Sequence, residues 1–281
     1  MAKVLIVGCG DVGSRLALLL VAAGHEVHAL RRSPFSLPGV HALQGDVTVP
    51  ASLQFPAGLD VVFVLLAPGE AGEAAYRRVY FEGTQHVLAA LAQQTLARLF
   101  WVSSSSVYGQ EDGSWVNEDS PAAAGSINGR ILLQSEQLLA AAPWPTTVVR
   151  FAGIYGPGRL RLLRWVQAGR EVQADPPAWT NRIHVDDCAG LLNFLFVQQC
   201  KGTNLASVYI GVDDEPAPQH EVLDWLADQM RLPRVARVSR PGAVSNKRLS
   251  NQRISALGYQ MQFPGYRAGY AAVMGQPEEI R

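Results

Sequence analysis

Residues 3–24 read KVLIVGCGDVGSRLALLLVAAG. KVLIV is an apolar, β-branched run of strand length. Gly8-Cys9-Gly10-Asp11-Val12-Gly13 then fits G-x-G-x-x-G, and helical periodicity from Asp11 stops at Gly24, a residue suited to a helix C-cap. A strand that turns through spaced glycines into a helix opens a βαβ unit. The alternation continues outward, with strands expected at 26–30, 40–44, 60–66, 98–104 and 146–151 and helices at 73–94 and 128–142. Such alternation predicts an α/β fold: a Rossmann doubly wound parallel sheet with right-handed crossovers and helices on both faces. After about residue 155 the pattern loosens. Gly and Pro cluster in GPG (156–158) and DPPAW (175–179), and helices are expected at 186–199 and 218–230.

The chain has 281 residues, 48% hydrophobic and 17% charged, enough for one large or two modest cores. Lys plus Arg is 24 and Asp plus Glu is 24, so no basic excess points to nucleic acid. No run of 18 apolar residues suggests a membrane span, and the apolar N-terminus breaks at Gly8, so it reads as a strand rather than a signal peptide. Cys9, Cys188 and Cys200 show no CxxC or Cys/His ligand spacing, so no metal site and no disulfide framework is expected. The composition reads as that of a cytoplasmic protein.

In G-x-G-x-x-G, Gly8 permits the tight turn, Gly10 lets a diphosphate approach the backbone, and Gly13 lets the helix pack on the sheet. Phosphates then meet the N–H groups of Asp11, Val12 and Gly13 at the helix start. The expected ligand is a nicotinamide dinucleotide. An NAD site usually carries an acid after the second strand, to accept both ribose hydroxyls. Here Arg31 and Arg32 follow Leu30, and two guanidinium groups suit a 2′-phosphate, so NADP is expected, with NAD as the alternative. Gly45-Asp46 follows the third strand, where Asp46 is placed at the adenine, and Ala67, after the fourth strand, is assigned to the same site.

Seven segments together resemble the extended short-chain dehydrogenase/reductases, the NAD(P)-dependent epimerase/dehydratase family. They are GCGDVG (8–13), QGDVT (44–48), EGTQHVL (82–88), WVSSSSVYG (101–109), VVRFAGIYGPG (148–158), NRIHVDD (181–187) and KRLSNQRISALGY (247–259). The resemblance implies a dinucleotide-binding domain over 1–155 and a smaller mixed α/β substrate domain over 156–281, with 181–200 packing back on the first. It implies an active site in the cleft between them, a small-molecule substrate of the sugar-nucleotide type, and pairing into a homodimer through the helices at 73–94 and 128–142. It also places a carbonyl-polarising hydroxyl at Ser104.

One part of the family pattern is missing. A Tyr followed four residues later by a Lys should open the helix after the fifth strand, the Lys charge lowering the Tyr pKa for proton exchange. Aligning Gly129 and Glu136 with the family's Y-G-x-S-K-x-x-x-E puts Asn128 and Leu132 at those two positions. No Tyr or Lys lies anywhere between Gly109 and Arg150. Candidates for a replacement are Tyr108, His184, and Glu111 or Asp112 on a loop; Asp186 and Asp187 are expected to cap the following helix. Arg159 and Arg182 are candidates for an anionic substrate group. Two functions stay open: an oxidoreductase or epimerase with a non-standard proton donor, and a non-catalytic NAD(P)-binding sensor or interaction module.

Overall fold

The computed structural model describes residues 1–239 and 246–275, in two compact units. The first unit comprises Met1–Tyr108, Ala122–Arg150 and Ala189–Tyr209, and the second Gly109–Pro121, Phe151–Cys188 and Ile210–Arg281. Residues 240–245 and 276–281, at the end of the expected second domain, lie outside the described residues.

The first unit is built on strands β1 (Lys3–Val7), β2 (Glu26–Arg31), β3 (Val40–Gln44), β4 (Val61–Val64) and β5 (Arg98–Ser104), with Thr146–Phe151 and Val208–Gly211. They form one seven-stranded sheet in the order 208–211, 146–151, β5, β4, β1, β2, β3. The pairings β1–β2, β2–β3, β1–β4 and β4–β5 are parallel. This is the doubly wound arrangement, and strand order reverses between β1 and β4. The center of the sheet is dry on both faces: Val4, Leu5, Ile6 and Val7 are fully buried, and Phe63 stacks on Phe100 at 4.8 Å. That explains why these strands read as unbroken apolar runs rather than alternating ones.

Helix α1 (Asp11–Ala22) ends before Gly24, whose φ of +81° supplies the left-handed residue that stops the helix. The expected helix at 73–94 is interrupted. Glu73–Tyr76 is α-helical (α2), Arg77–Glu82 is a π turn, and Gly83–Ala90 is α-helical again (α3). A π turn inserts a residue into the i→i−4 ladder without altering the apolar periodicity enough to announce it. Helix α4 (Ile127–Ala140) starts at Ser126, whose hydroxyl accepts the N–H of Gly129.

The second unit joins short strand pairs to helices. Gly153–Tyr155 runs parallel to Arg182–His184, and Val172–Asp175 parallel to Arg237–Ser239. Its core gathers Leu162, Leu163 and Val166 of helix Arg161–Gln167, Val222, Leu223 and Leu226 of helix Gln219–Met230, and Tyr266, Tyr270 and Val273 of helix Tyr266–Met274. Among the described residues no helix is long and apolar enough to cross a membrane.

Candidate dinucleotide site and neighbouring polar clusters

At the strand-order reversal, the β1–α1 turn opens a cavity of about 280 Å³ in the first unit. Gly8 has φ +94°, and a Cβ there would stand 2.1 Å from the Leu65 carbonyl oxygen. At Gly13 a Cβ would stand 2.8 Å from the Gly8 oxygen, so this glycine lets α1 press onto the turn. Gly10 is different, because a Cβ there would meet nothing within 4 Å. Its bare face is open space, and α1 begins at that residue with no side-chain cap on its N–H groups. The arrangement fits a diphosphate: open approach to backbone, uncapped amides and the positive end of a helix dipole. Asp11 would oppose an anion, but its carboxylate is drawn aside to Arg15 at 3.0 Å.

Of the residues expected at this site, Gly8, Gly10, Arg31, Arg32, Asp46 and Ala67 line the cavity, while Asp11, Val12 and Gly13 belong to the adjoining helix start. The two arginines are exposed. Arg31 lies over the Phe35 ring at 5.4 Å, and Arg32 lies against Gly69, where a Cβ would stand 2.9 Å from its Nη2. Asp46 closes an Asx turn, its Oδ1 accepting the N–H and the hydroxyl of Thr48, each at 2.8 Å. Sequence reasoning missed Ser33, Leu65, Leu66 and Val79 in the lining. Leu65 and Leu66 follow a central strand at the reversal and could have been found from that position; Val79 sits in the π turn and could not.

At the end of β5, the Ser104 hydroxyl is half-buried and accepts the N–H of Ser106 at 3.2 Å, leaving its own proton to donate. Helix α4 docks on this turn through Gly129, where a Cβ would stand 2.3 Å from the Ser106 oxygen. Asn128 is half-buried and Leu132 is 2% exposed, so the second position of the missing pair is a buried aliphatic side chain. Tyr108 does not stand out as a proton donor. It is 1% exposed, its hydroxyl accepts from Arg150 Nη1 at 2.7 Å, and the guanidinium lies over its ring. Arg150 in turn donates through Nε and Nη2 to both oxygens of Glu136, at 3.1 and 2.6 Å, and Ser103 donates to the same carboxylate at 2.6 Å. This buried network was missed; Glu136 had served only to align the helix.

In the second unit Arg159 and Arg182 line one cavity of about 300 Å³ together with Arg161, which sequence reasoning missed. Arg182 does not have a free guanidinium for substrate. It is 4% exposed, donates to the Thr180 and Glu215 carbonyls, and lies over the Tyr266 ring at 5.2 Å. His184 is buried between Tyr155 and Phe263, and its Nδ1 accepts the Asp186 N–H. The expected capping role of Asp187 is corrected. Its buried carboxylate accepts the N–H groups of Gln262 and Phe263 and the Tyr259 hydroxyl, so it pins a distant loop. Asp112, exposed on its loop, accepts the Ser114 N–H.

Asp213 is also buried here, its own N–H bonded to the Arg182 carbonyl, and burial pushes its carboxyl up from 3.8 to about 8. A carboxyl whose folded pKa is raised favours the fold below its unfolded pKa and loses that contribution as pH rises through the folded value. The parent protein should therefore lose stability between about pH 4 and about pH 8 through this group. Asp213→Asn is expected to shift the comparison in the variant's favour between those limits, as read by urea midpoints across pH. An unchanged difference at all pH values would remove Asp213 as the cause.

The family described as the NAD dependent epimerase/dehydratase family matches residues 4–202. A protein of Methylobacillus flagellatus, described as a candidate NAD-dependent epimerase/dehydratase, is 40% identical, with 98% of each chain covered and a TM-score of 0.83. MoeE5 in complex with UDP-glucose and NAD is 27% identical, with 97% of each chain covered and a TM-score of 0.78. UDP-glucuronic acid 4-epimerase of Bacillus cereus in complex with NAD is 20% identical over 99% of this chain and 98% of that one, with a TM-score of 0.79; that likeness is one of fold. No match was found among proteins of curated function.

Proposed function

The chain belongs to the NAD dependent epimerase/dehydratase family, and from that premise we propose that its β1–α1 turn binds a nicotinamide dinucleotide, NADP in preference to NAD. The observation that carries the proposal is the open face of Gly10 beside Gly8, in a cavity that Arg31, Arg32 and Asp46 also line. When bound, the nicotinamide supplies a hydride acceptor or donor. The chain's own residues hold the diphosphate by main-chain amides, and Arg31 and Arg32 face a 2′-phosphate where no acid is present to select a free hydroxyl pair. Two of the solved neighbours are complexes with NAD, so the NADP preference rests on these arginines alone.

Arg31→Ala combined with Arg32→Ala is expected to weaken NADPH binding at least about tenfold more than NADH binding, the loss of one or two charge-assisted contacts. Equal losses for the two cofactors in a fluorescence titration would rule out the 2′-phosphate role.

On this cofactor we propose oxidoreductase or epimerase chemistry on a sugar-nucleotide-like or other small carbonyl or hydroxyl substrate. Ser104 donates its proton to the substrate oxygen. The proton donor is non-standard, since Asn128 has no useful acid and Leu132 no charge. That observation also favours a second reading, a non-catalytic NAD(P)-binding sensor or interaction module. General acid–base catalysis contributes on the order of 10²–10⁴-fold, so its loss slows an enzyme without removing the contribution of positioning. A screen of sugar nucleotides, ketones and aldehydes, followed by nicotinamide absorbance, separates the two. Turnover of any of them supports the enzyme. Saturable cofactor binding with turnover of none assigns the binding module.

A further inference from the structure

A second cluster lies on the same sheet and takes no part in the dinucleotide site. Glu26 and His28 are two residues apart on β2, so their side chains leave the same face. In the β2–β3 ladder His28 stands directly opposite His41. One ligand atom from each of Glu26, His28 and His41 falls within 4.8 Å of the others. The His28 Nε2 is 2.8 Å from Glu26 Oε1, and the two imidazole rings stack at 4.6 Å. The His28 Nδ1 is buried and has no hydrogen-bond partner among the described residues. With the ring proton on Nδ1, the His28 Nε2 turns its lone pair toward the Glu26 carboxylate, the tautomer that lets both ligate one cation.

We propose that Glu26, His28 and His41 form a site for one divalent transition-metal cation of the zinc type, tying β2 to β3. Two imidazoles and a carboxylate are the donor set of a borderline-soft cation, with a fourth position left to water. Metal–ligand bonds of about 2.0–2.2 Å separate tetrahedral donors by roughly 3.5 Å. Ring rotation at His41, the exposed member, brings the donors inward by about the remaining ångström. The resident competitor is Lys3, whose Nζ lies 3.1 Å from Glu26 Oε1. That pair is part-exposed and screened, so it holds the carboxylate weakly.

No sequence spacing announces this site, because the third ligand comes from a neighbouring strand through the register. Its place in the fold also separates it from the cofactor. Glu26 begins β2 and Arg31 ends it, five residues or roughly 17 Å along the strand. Metal binding and dinucleotide binding are therefore independent.

The test is calorimetric titration of tag-free protein with zinc sulfate, repeated with cobalt(II) to read the visible absorbance of its coordination shell. One equivalent is expected to bind, with a raised thermal midpoint. His41→Ala and Glu26→Gln should each weaken binding at least about tenfold, as loss of a ligand removes upward of about 1.4 kcal/mol. The metal-free midpoint and NADPH affinity of His41→Ala should match the parent, which shows that the variant is folded. Cys200→Ser, which removes the exposed thiol, should keep the site. Absence of binding at about 100 μM metal, roughly 5–6 kcal/mol on the affinity scale, overturns the proposal. So does binding unchanged in His41→Ala or lost in Cys200→Ser.

Discussion

Gly10→Ala is expected to leave the thermal midpoint within about 2–4 °C of the parent while weakening dinucleotide binding at least about 100-fold. The reasoning is local. A methyl at Gly10 meets no protein atom within 4 Å, so the fold has no cause to object. The same methyl occupies the approach of a diphosphate to the main chain, where each lost charge-assisted contact removes about 1.5–3 kcal/mol. Gly8→Ala serves as the contrast. It places a side chain on a residue at φ +94° and drives its Cβ to 2.1 Å from a backbone oxygen that belongs to a central strand's end. Leu65 cannot yield without disturbing its N–H bond to Val7, so the cost is structural, about 3 kcal/mol or more. Gly8→Ala should lose stability and binding together; Gly10→Ala should lose binding alone. Thermal unfolding and NADPH titration on both variants make the comparison. Undiminished binding by Gly10→Ala would show that the diphosphate lies elsewhere.

Arg150→Met is expected to reduce stability by about 3–5 kcal/mol, the largest effect of any single charge removal in the first unit. Both partners of the Arg150–Glu136 pair are buried, with side chains 8% and 9% exposed, and the pair is bidentate. Removing the guanidinium leaves a carboxylate in the interior with the Ser103 hydroxyl beside it, and takes away the Arg150 hydrogen bond to the Tyr108 hydroxyl. Adding Glu136→Leu to Arg150→Met should recover most of the loss, because an apolar pair of similar volume has no charge to desolvate. Denaturant midpoints of the parent, both single variants and the double variant give the coupling directly. If Arg150→Met were as stable as the parent, the network would be ornamental. Its position also bears on function, since Ser103 adjoins Ser104, and a β5 end held by Glu136 and Arg150 fixes where the Ser104 hydroxyl points.

How far the sequence revealed this structure depended on whether a signal was local. KVLIV followed by spaced glycines declares a strand, a tight turn and a helix through backbone sterics alone, and each appears where expected. Arg31 and Arg32, expected at the cofactor site from their place at the end of the second strand, line the cavity. Interactions across sequence distance were silent. Nothing near Asp187 tells that its carboxylate receives Gln262 and Phe263, some 75 residues on. Arg182 looked available to substrate because Glu215, 33 residues on, meets it only after folding. Gly129 was legible only as the glycine of the family pattern, and the Ser106 carbonyl pressing on it shows why no side chain fits. The π turn at Arg77–Glu82 escaped for another reason: it changes hydrogen bonding without changing which residues are apolar. The absence of Tyr and Lys between Gly109 and Arg150 was, by contrast, fully legible, and the burial of Leu132 gives it a structural counterpart.

Calorimetric titration of the whole chain with NADPH and with NADH tests most directly whether a dinucleotide is held at the β1–α1 turn. One equivalent of saturable binding is expected, tighter for NADPH, and weakened at least about 100-fold by Gly10→Ala in a protein that unfolds within about 2–4 °C of the parent. Folded protein that gives no heat with either cofactor up to about 1 mM, roughly 4 kcal/mol of affinity, would contradict it.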